Sequence, residues 1–271
     1  KSRLGSIDFP SFHLGRNPWH EYIAVSYSAP LAYKFSRSVQ DIVSSPDYEL
    51  IFPDAKLRDD MTSVEEWGLT KGGVYTAAGV GGPISGKGAH VLSLDDIIKN
   101  REDADSSLYR TMVQDWYTST AYTRLMPGGG VLGINTRWHD ADLMGYLLAM
   151  MQEAEKIAQD TGEWPEDYDK WRVVEYPAIA IEDEKYRKAG EALHPERYSL
   201  KALLRIKRTL GDRDFTALYQ QRPAAEDGEY FTKEMIRNYE GAGPALNNMT
   251  LFMAGDLAIS KQAFADYSVF I

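Results

Sequence analysis

Ala89-His90-Val91-Leu92-Ser93-Leu94-Asp95-Asp96 is a short apolar run that ends in two adjacent carboxylates. Its Val and Leu residues do not alternate cleanly with polar ones, and turn residues bound it, so it reads as a strand buried on both faces of a parallel sheet. Ligands of open α/β sheets sit beyond the carboxyl ends of the strands. Two Asp side chains placed there can hold a divalent cation and orient a water, which is the chemistry of a Walker B strand. Asp95 would bind Mg²⁺ through its water shell, and Asp96 would polarise the water that attacks a γ-phosphate. By themselves the two residues fit an Asp-rich turn or helix cap more readily than a site.

Immediately upstream lies the glycine-rich loop Gly79-Val80-Gly81-Gly82-Pro83-Ile84-Ser85-Gly86-Lys87-Gly88. Gly81 to Lys87 matches G-x-x-x-x-G-K, but a phosphate-binding loop needs Ser or Thr next and then a helix. Gly88 and a strand follow instead, so the loop is rejected as a Walker A motif. It reads as a connection that either carries Lys87 toward a phosphate or a neighbouring subunit, or leaves it solvated. Before it, Trp67-Gly68-Leu69-Thr70 and Val74-Tyr75-Thr76-Ala77-Ala78 predict a hairpin turning at Lys71-Gly72-Gly73. Glu21 to Tyr27 predicts a strand, with Ser28 as N-cap and Pro30 in the first turn of a helix whose apolar face is Leu31, Phe35, Val39 and Ile42. Strand followed by helix is the α/β signature.

Downstream, Ile97 to Asp105 is charged and predicted to be exposed. A helix from about Ser106 carries Leu108, Met112, Trp116 and Tyr117 at core spacing. A second short strand, Val131-Leu132-Gly133-Ile134, ends in Asn135-Thr136-Arg137-Trp138-His139-Asp140, which would place Asp95, Asp96, Asn135 and Thr136 along one sheet edge. His139, Asp140 and Asp142 lack a usual metal-ligand spacing, and capping of the helix that starts at Leu143 is the better reading. Leu147, Leu148, Met151, Ala154 and Ile157 mark that helix, which ends before Thr161-Gly162. Trp171 to Ala180 predicts a further strand. Leu200 to Leu210 predicts a helix with Leu203, Ile206 and Leu210 on one face and Lys201, Arg205 and Arg208 on another, either a phosphate-facing stripe or a solvated face. The composition shift from Gln220 to Gly228 marks a domain boundary. Met249 to Asp256 and Ala265 to Ile271 then predict a hairpin with a carboxylate on its first strand, the way RNase H-like nucleases begin.

Composition sets the outer bounds. The 271 residues are 44% hydrophobic and 12% aromatic, as in a packed globular chain rather than a disordered one. With 30 basic and 40 acidic side chains the net charge of −10 argues against a surface that coats nucleic acid non-specifically by charge alone, and leaves room for a local basic patch. The absence of cysteine excludes disulfides and thiolate metal sites and points to a reducing cytoplasm. No apolar run approaches the ~20 residues of a membrane span. The first residue is Lys1 and the last five, Tyr267 to Ile271, follow a strand pattern, so the chain reads as a fragment at both ends.

Read together, Lys1-Ser2, Phe9-Pro10-Ser11-Phe12-His13-Leu14-Gly15-Arg16-Asn17-Pro18, Gly79-Val80-Gly81-Gly82, Asp95-Asp96, Lys99-Asn100-Arg101-Glu102-Asp103-Ala104, Tyr122-Thr123-Arg124-Leu125, Thr136-Arg137-Trp138-His139, Pro195-Glu196-Arg197-Tyr198 and Tyr219-Gln220-Gln221-Arg222-Pro223 resemble the large terminase subunit of tailed phages over nearly the whole chain. The resemblance implies an α/β fold: a P-loop, ASCE-type ATPase sheet with helices on both faces, then a helical lid, then the first strands of an RNase H-like nuclease. On that reading 1–142 is the ATPase core without its first strand and most of Walker A, 143–222 the lid, 223–246 a linker and 247–271 the start of the nuclease domain.

Carried over by position, the resemblance implies that Lys1 and Ser2 are the last two Walker A residues, contacting the β/γ-phosphates and Mg²⁺. It makes Asp95 the Walker B metal ligand and Asp96 the catalytic carboxylate, where many relatives have Glu. Asn135 and Thr136 match the motif that couples nucleotide state to the lid. Lys87 stands where some terminases place an arginine finger, although Lys cannot fork across two phosphate oxygens. Asp256 matches the first nuclease ligand for Mg²⁺ or Mn²⁺, with Asp266 as a second candidate. The implied partners are double-stranded DNA, a portal protein, the small terminase subunit and further copies in a ring, all in the cytoplasm of a bacterial host. Two other readings predict different behaviour: a P-loop helicase or translocase without a nuclease, and a non-catalytic fragment that docks on a portal or small subunit.

Overall fold

A computed structural model describes residues 1–223 and, after them, the backbone of two short strands. The chain divides into two units, Lys1–Asp227 and Gly228–Ile271. In the first, the elements run α1 (Phe9–Arg16), β1 (Glu21–Ser26), α2 (Ala29–Val43), α3 (Pro46–Ile51), β2 (Leu57–Thr62), β3 (Glu66–Leu69), β4 (Val74–Gly79), β5 (Ala89–Asp95), α4 (Arg101–Asp105), α5 (Ser107–Trp116), β6 (Leu125–Ile134), α6 (Leu143–Thr161), α7 (Leu200–Leu210) and α8 (Asp212–Leu218). A wide π-helical turn, Arg3–Asp8, leads into α1.

The six strands form one mixed sheet in the order β2-β3-β4-β1-β5-β6. β4, β1, β5 and β6 are parallel, and β3 and β2 add to the β4 side antiparallel. β1 lies near the middle and its residues alternate between two cores, as the period of two requires. Ile23 and Val25 join Leu92 and Leu94 under α5 and α6, against Val113, Trp116, Leu143 and Leu147. Tyr22 and Ala24 join Val91, Trp67 and Tyr75 under α1 and α2, against Leu14, Ala32 and Val39. On this second face Trp67, Tyr75 and Tyr22 stack in sequence across three strands, with ring centroids 5.0 and 5.3 Å apart. Helices therefore cover both faces, which is why the central strands are apolar runs rather than alternating ones.

The β3–β4 hairpin forms as expected, with Leu69 N–H donating to the Gly73 carbonyl at 2.7 Å and Gly72 at φ +96°. The inward face of α2 is rotated by one residue from the expected one, burying Ala32, Ser36, Val39 and Val43. The stretch Ser44 to Met61, with no element assigned from sequence, contains α3 and most of β2. Leu108 and Met112 are exposed on α5 rather than core, while Trp116 and Tyr117 are buried. Ile97 and Ile98, expected outside, are buried just beyond β5.

Trp171 to Ala180 is not a strand. Val173, Val174 and Tyr176 are all exposed, so neither face gains burial. The segment is held instead by a single bridge, Ile179 to Ala192, and by the Gln220 amide, which both accepts from and donates to the Ile179 backbone at 2.9 Å. Between α6 and α7 the chain is otherwise irregular. Both helices start and stop by sequence rule. Asp142 and Ser199 accept from backbone N–H groups three residues on, and Gly162 and Gly211 close the C-termini at φ +82°.

α8 is tied to α4 by charge. Arg101 pairs with Asp214 and Asp105, donates to the Trp138 carbonyl at 2.6 Å and lies over the Trp138 ring, while Arg213 pairs with Asp105 at 3.1 Å. No helix among the described residues is long and apolar enough to cross a membrane. In the second unit, β7 (Gly255–Asp256) pairs antiparallel with β8 (Val269–Phe270). The linker expected over 223–246, after its first residue, and Asp266 lie outside the described residues, as does the side chain of Asp256.

Candidate functional site

β5 ends at Asp95, on the same side of the sheet as Ser93 and Val91, the face that α1 and its preceding turn cover. Asp95 is 2% exposed, and both of its oxygens are engaged. Ser6 Oγ donates to Oδ2 at 2.5 Å and Ser2 Oγ to Oδ1 at 3.3 Å. Ser2 and Ser6 are one helical repeat apart, so the opening helix presents both hydroxyls to one carboxylate. Burial pushes the Asp95 carboxyl above the usual range, and the Ser6 and Ser2 hydrogen bonds and the Lys1 charge pull it back. Gly5 permits this approach, because a Cβ there would lie 2.1 Å from the Ile134 methyl at the end of β6.

Lys1 lies across the same end. Its ammonium donates to Thr136 Oγ1. Loss of solvent lowers its pKa from the usual lysine range, and the carboxylates of Asp96 and Asp95 act in the opposite sense. Asp96 is pinned through its main chain: its N–H donates to the Ile134 carbonyl at 3.0 Å, and its carbonyl accepts from Tyr27 N–H at 3.2 Å. The resulting φ of +54° is left-handed, a conformation that Asp and Asn tolerate better than other side-chain-bearing residues. Asn135 spans the gap between β5 and β6, accepting from Ile97 N–H at 3.1 Å and donating to the Leu94 carbonyl at 3.4 Å. Asn135 thus fixes where the chain goes after the two carboxylates.

Of the residues singled out from sequence, Lys1, Ser2, Asp95, Asp96, Asn135 and Thr136 converge on this one sheet edge. Lys87 does not join them. Its ammonium is held by Glu66 at 2.5 Å, in a groove of about 920 Å³ bounded by Tyr27, Ser28, Gly79 and Gly82. The glycine-rich loop around it leads into a strand and not a helix, as expected of something other than a Walker A motif. His139 and Asp142 serve the start of α6: His139 Nδ1 accepts from Ala141 N–H, Asp142 Oδ1 accepts from Gly145 N–H at 2.8 Å, and Arg137 pairs with Asp142 at 3.0 Å. Among the described residues no three His, Asp or Glu side chains gather as a metal-holding cluster.

Ser6 escaped the sequence reading, although its spacing from Ser2 was a usable signal. The edge brings together a carboxylate, hydroxyls and an ammonium, donor types that suit a hard cation and a phosphate. Cis ligands on Mg²⁺ at ~2.1 Å stand about 3 Å apart, close to the 3.3 Å between Ser2 Oγ and Asp95 Oδ1. Both are oxygen donors, and a cation between them would offset the cost of burying the Asp95 charge.

The family model for the N-terminal region of T4likevirus-type terminase large subunits matches residues 1–238. Comparison with curated proteins returns no match. Among solved structures, the chain is similar to the HK97 bacteriophage large terminase at 17% identity and a TM-score of 0.31, over 55% of this chain and 30% of that one. With the family model covering most of its length, the chain belongs to the terminase large subunit family.

Proposed function

We propose that this chain is the ATP-hydrolysing part of a viral DNA-packaging motor. The observation that carries the reading is the convergence of Lys1, Ser2 and Thr136 on Asp95 and Asp96 at the carboxyl end of β5. Lys1 would hold the β/γ-phosphates as a point charge, and Ser2 and Asp95 would hold the Mg²⁺ that accompanies ATP. Bound there, Mg²⁺ would supply neutralisation of the charge that builds on the phosphate oxygens. Asp96, whose side chain makes no cap or ion pair among the described residues, accepts a hydrogen bond from the attacking water and orients it. Ser6 keeps the Asp95 carboxylate ionised and aimed.

Thr136 touches Lys1, and Asn135 sets the turn after Asp96, so a change at the phosphates is felt at the end of β6 and then at α6. The lid, 143–222, moves with nucleotide state, its α8 end anchored on α4 through Arg101. Lys87 is tied to Glu66 within its own chain and acts, if released, on the nucleotide of a neighbouring subunit in the ring. In the full-length protein Asp256 and Asp266 contribute to a two-metal Mg²⁺ or Mn²⁺ nuclease that cuts concatemeric DNA. The motor works in the bacterial host cytoplasm with double-stranded DNA, portal protein and small terminase subunit as partners.

The test is Mg²⁺-dependent ATP turnover by the full-length protein. Asp96→Asn keeps the left-handed backbone and the size of the side chain, so it should abolish turnover while nucleotide still binds. Normal turnover in that variant refutes the assignment.

A further inference from the structure

α7 carries four bases and no acid in a chain with ten more acids than bases. Lys201, Arg205 and Arg208 lie four and three residues apart, within about 60° of arc on the helix and within ~10.5 Å along its axis. All three are exposed, and Leu203, 3% exposed, anchors the opposite side. Among the described residues none of the three makes an ion pair, whereas their neighbour Lys207 pairs with Asp212 at 2.8 Å and Arg213 pairs with Asp105.

The arrangement opposes local stability. Lys201 and Arg205 are like charges at i,i+4, Arg205 and Arg208 at i,i+3, and Lys201 occupies the first turn, next to the positive end of the helix dipole. Arg208, in the last turn, gains from the negative end of the dipole, but no acid within α7 offsets the like-charge contacts. An external polyanion would. Duplex DNA carries one charge per ~1.7 Å of axis, so a straight row of three cations can meet successive phosphates, and two of the three are guanidiniums suited to forked phosphate contacts.

We propose that the Lys201, Arg205, Arg208 face of α7 is a sequence-independent contact for the phosphate backbone of double-stranded DNA. This rests on the packaging-motor reading and assigns the DNA grip, in part, to the lid. A cation row on the moving lid transmits lid motion to DNA directly, without routing it through the downstream nuclease unit.

The test measures binding of the full-length protein to a fluorescent 30-base-pair duplex across a salt series, with DNA-independent ATP turnover measured in parallel. The variant Lys201→Ala, Arg205→Ala, Arg208→Ala should lower the slope of log affinity against log salt by about 2.7, at ~0.9 per phosphate contact, and weaken binding on the order of 10²-fold near physiological salt. Its basal turnover should stay at the wild-type level. The charge-preserving variant Lys201→Arg, Arg205→Lys, Arg208→Lys should keep the wild-type salt slope, which separates charge from helix integrity. An unchanged slope in the alanine variant overturns the proposal while leaving the motor reading intact. Unchanged DNA binding with lost capture of portal protein also overturns it and assigns the face to an acidic protein. A wild-type protein that neither binds duplex nor hydrolyses ATP overturns both readings.

Discussion

Removing the Ser6 hydroxyl isolates the support under the site. Ser6 Oγ donates to Asp95 Oδ2 at 2.5 Å, the residue is 4% exposed and its partner 2%. A hydrogen bond to a charged group in such a place contributes about 1.5–3 kcal/mol, and deletion leaves a buried carboxylate oxygen with one donor fewer. Neither side chain is solvent-screened, so the figure needs no surface discount. For a folded unit of this size, each kcal/mol corresponds to roughly 2–4 °C, giving an expected fall of about 3–12 °C for Ser6→Ala at pH 7. The effect depends on pH with a definite sign. Burial raises the folded Asp95 pKa above its unfolded value, so the contribution of this group to stability is fully present below the unfolded pKa and is lost as pH rises through the folded one. Ser6 limits that loss by favouring the ionised form. The gap between wild type and Ser6→Ala should therefore narrow as pH is lowered, because the raised Asp95 carboxyl takes up its proton at a higher pH than an ordinary aspartate and the charge-assisted bond is then no longer needed. Thermal melts by circular dichroism at pH 4, 5.5 and 7 measure it. A gap that is equal at all three pH values, or below 1 °C at pH 7, refutes the claim that Ser6 stabilises the charge.

Two further outcomes follow from the fold. Arg101→Ala removes the link from α4 to Asp214 and to the Trp138 carbonyl; with the side chain partly solvated it should cost only about 1 kcal/mol globally. Hydrogen exchange should nevertheless rise selectively over α8, and uniform exchange across the chain would contradict the anchoring role. Gly72→Ala places a Cβ in open space but at φ +96°, so its cost of about 1–2 kcal/mol comes from backbone strain alone. A urea midpoint equal to wild type would show that the hairpin turn relaxes without loss.

The core strands were legible because burial on both faces leaves a composition signal: β1, β4 and β5 are apolar runs bounded by turn residues. Helices α6 and α7 were legible for a different reason, since their caps, Asp142, Gly162, Ser199 and Gly211, act within a few residues of chain. What failed depended on distant partners. Val173, Val174 and Tyr176 have strand composition but, among the described residues, no neighbouring strand to pair with, and composition carries no information about the neighbour. Leu108 and Met112 have core spacing on a helix whose buried face is set by Val113 and Trp116 instead. At the site, the carboxylates and the β6 end were readable as strand termini. The pairing of Lys87 with Glu66 was not, because that ion pair joins two loops' worth of separate chain.

The left-handed turn at Asp96 bears on which sequences the family can use at this position. Two filters act there at once. The proposed hydrolysis asks for a carboxylate, which admits Asp and Glu; the main chain, held at φ +54° by Ile134 and Tyr27, favours Gly, Asn and Asp. Only Asp passes both. Glu at this position would carry backbone strain that Asp largely avoids, so on the proposed mechanism the identity of one acid is tied to the route of the backbone beneath it.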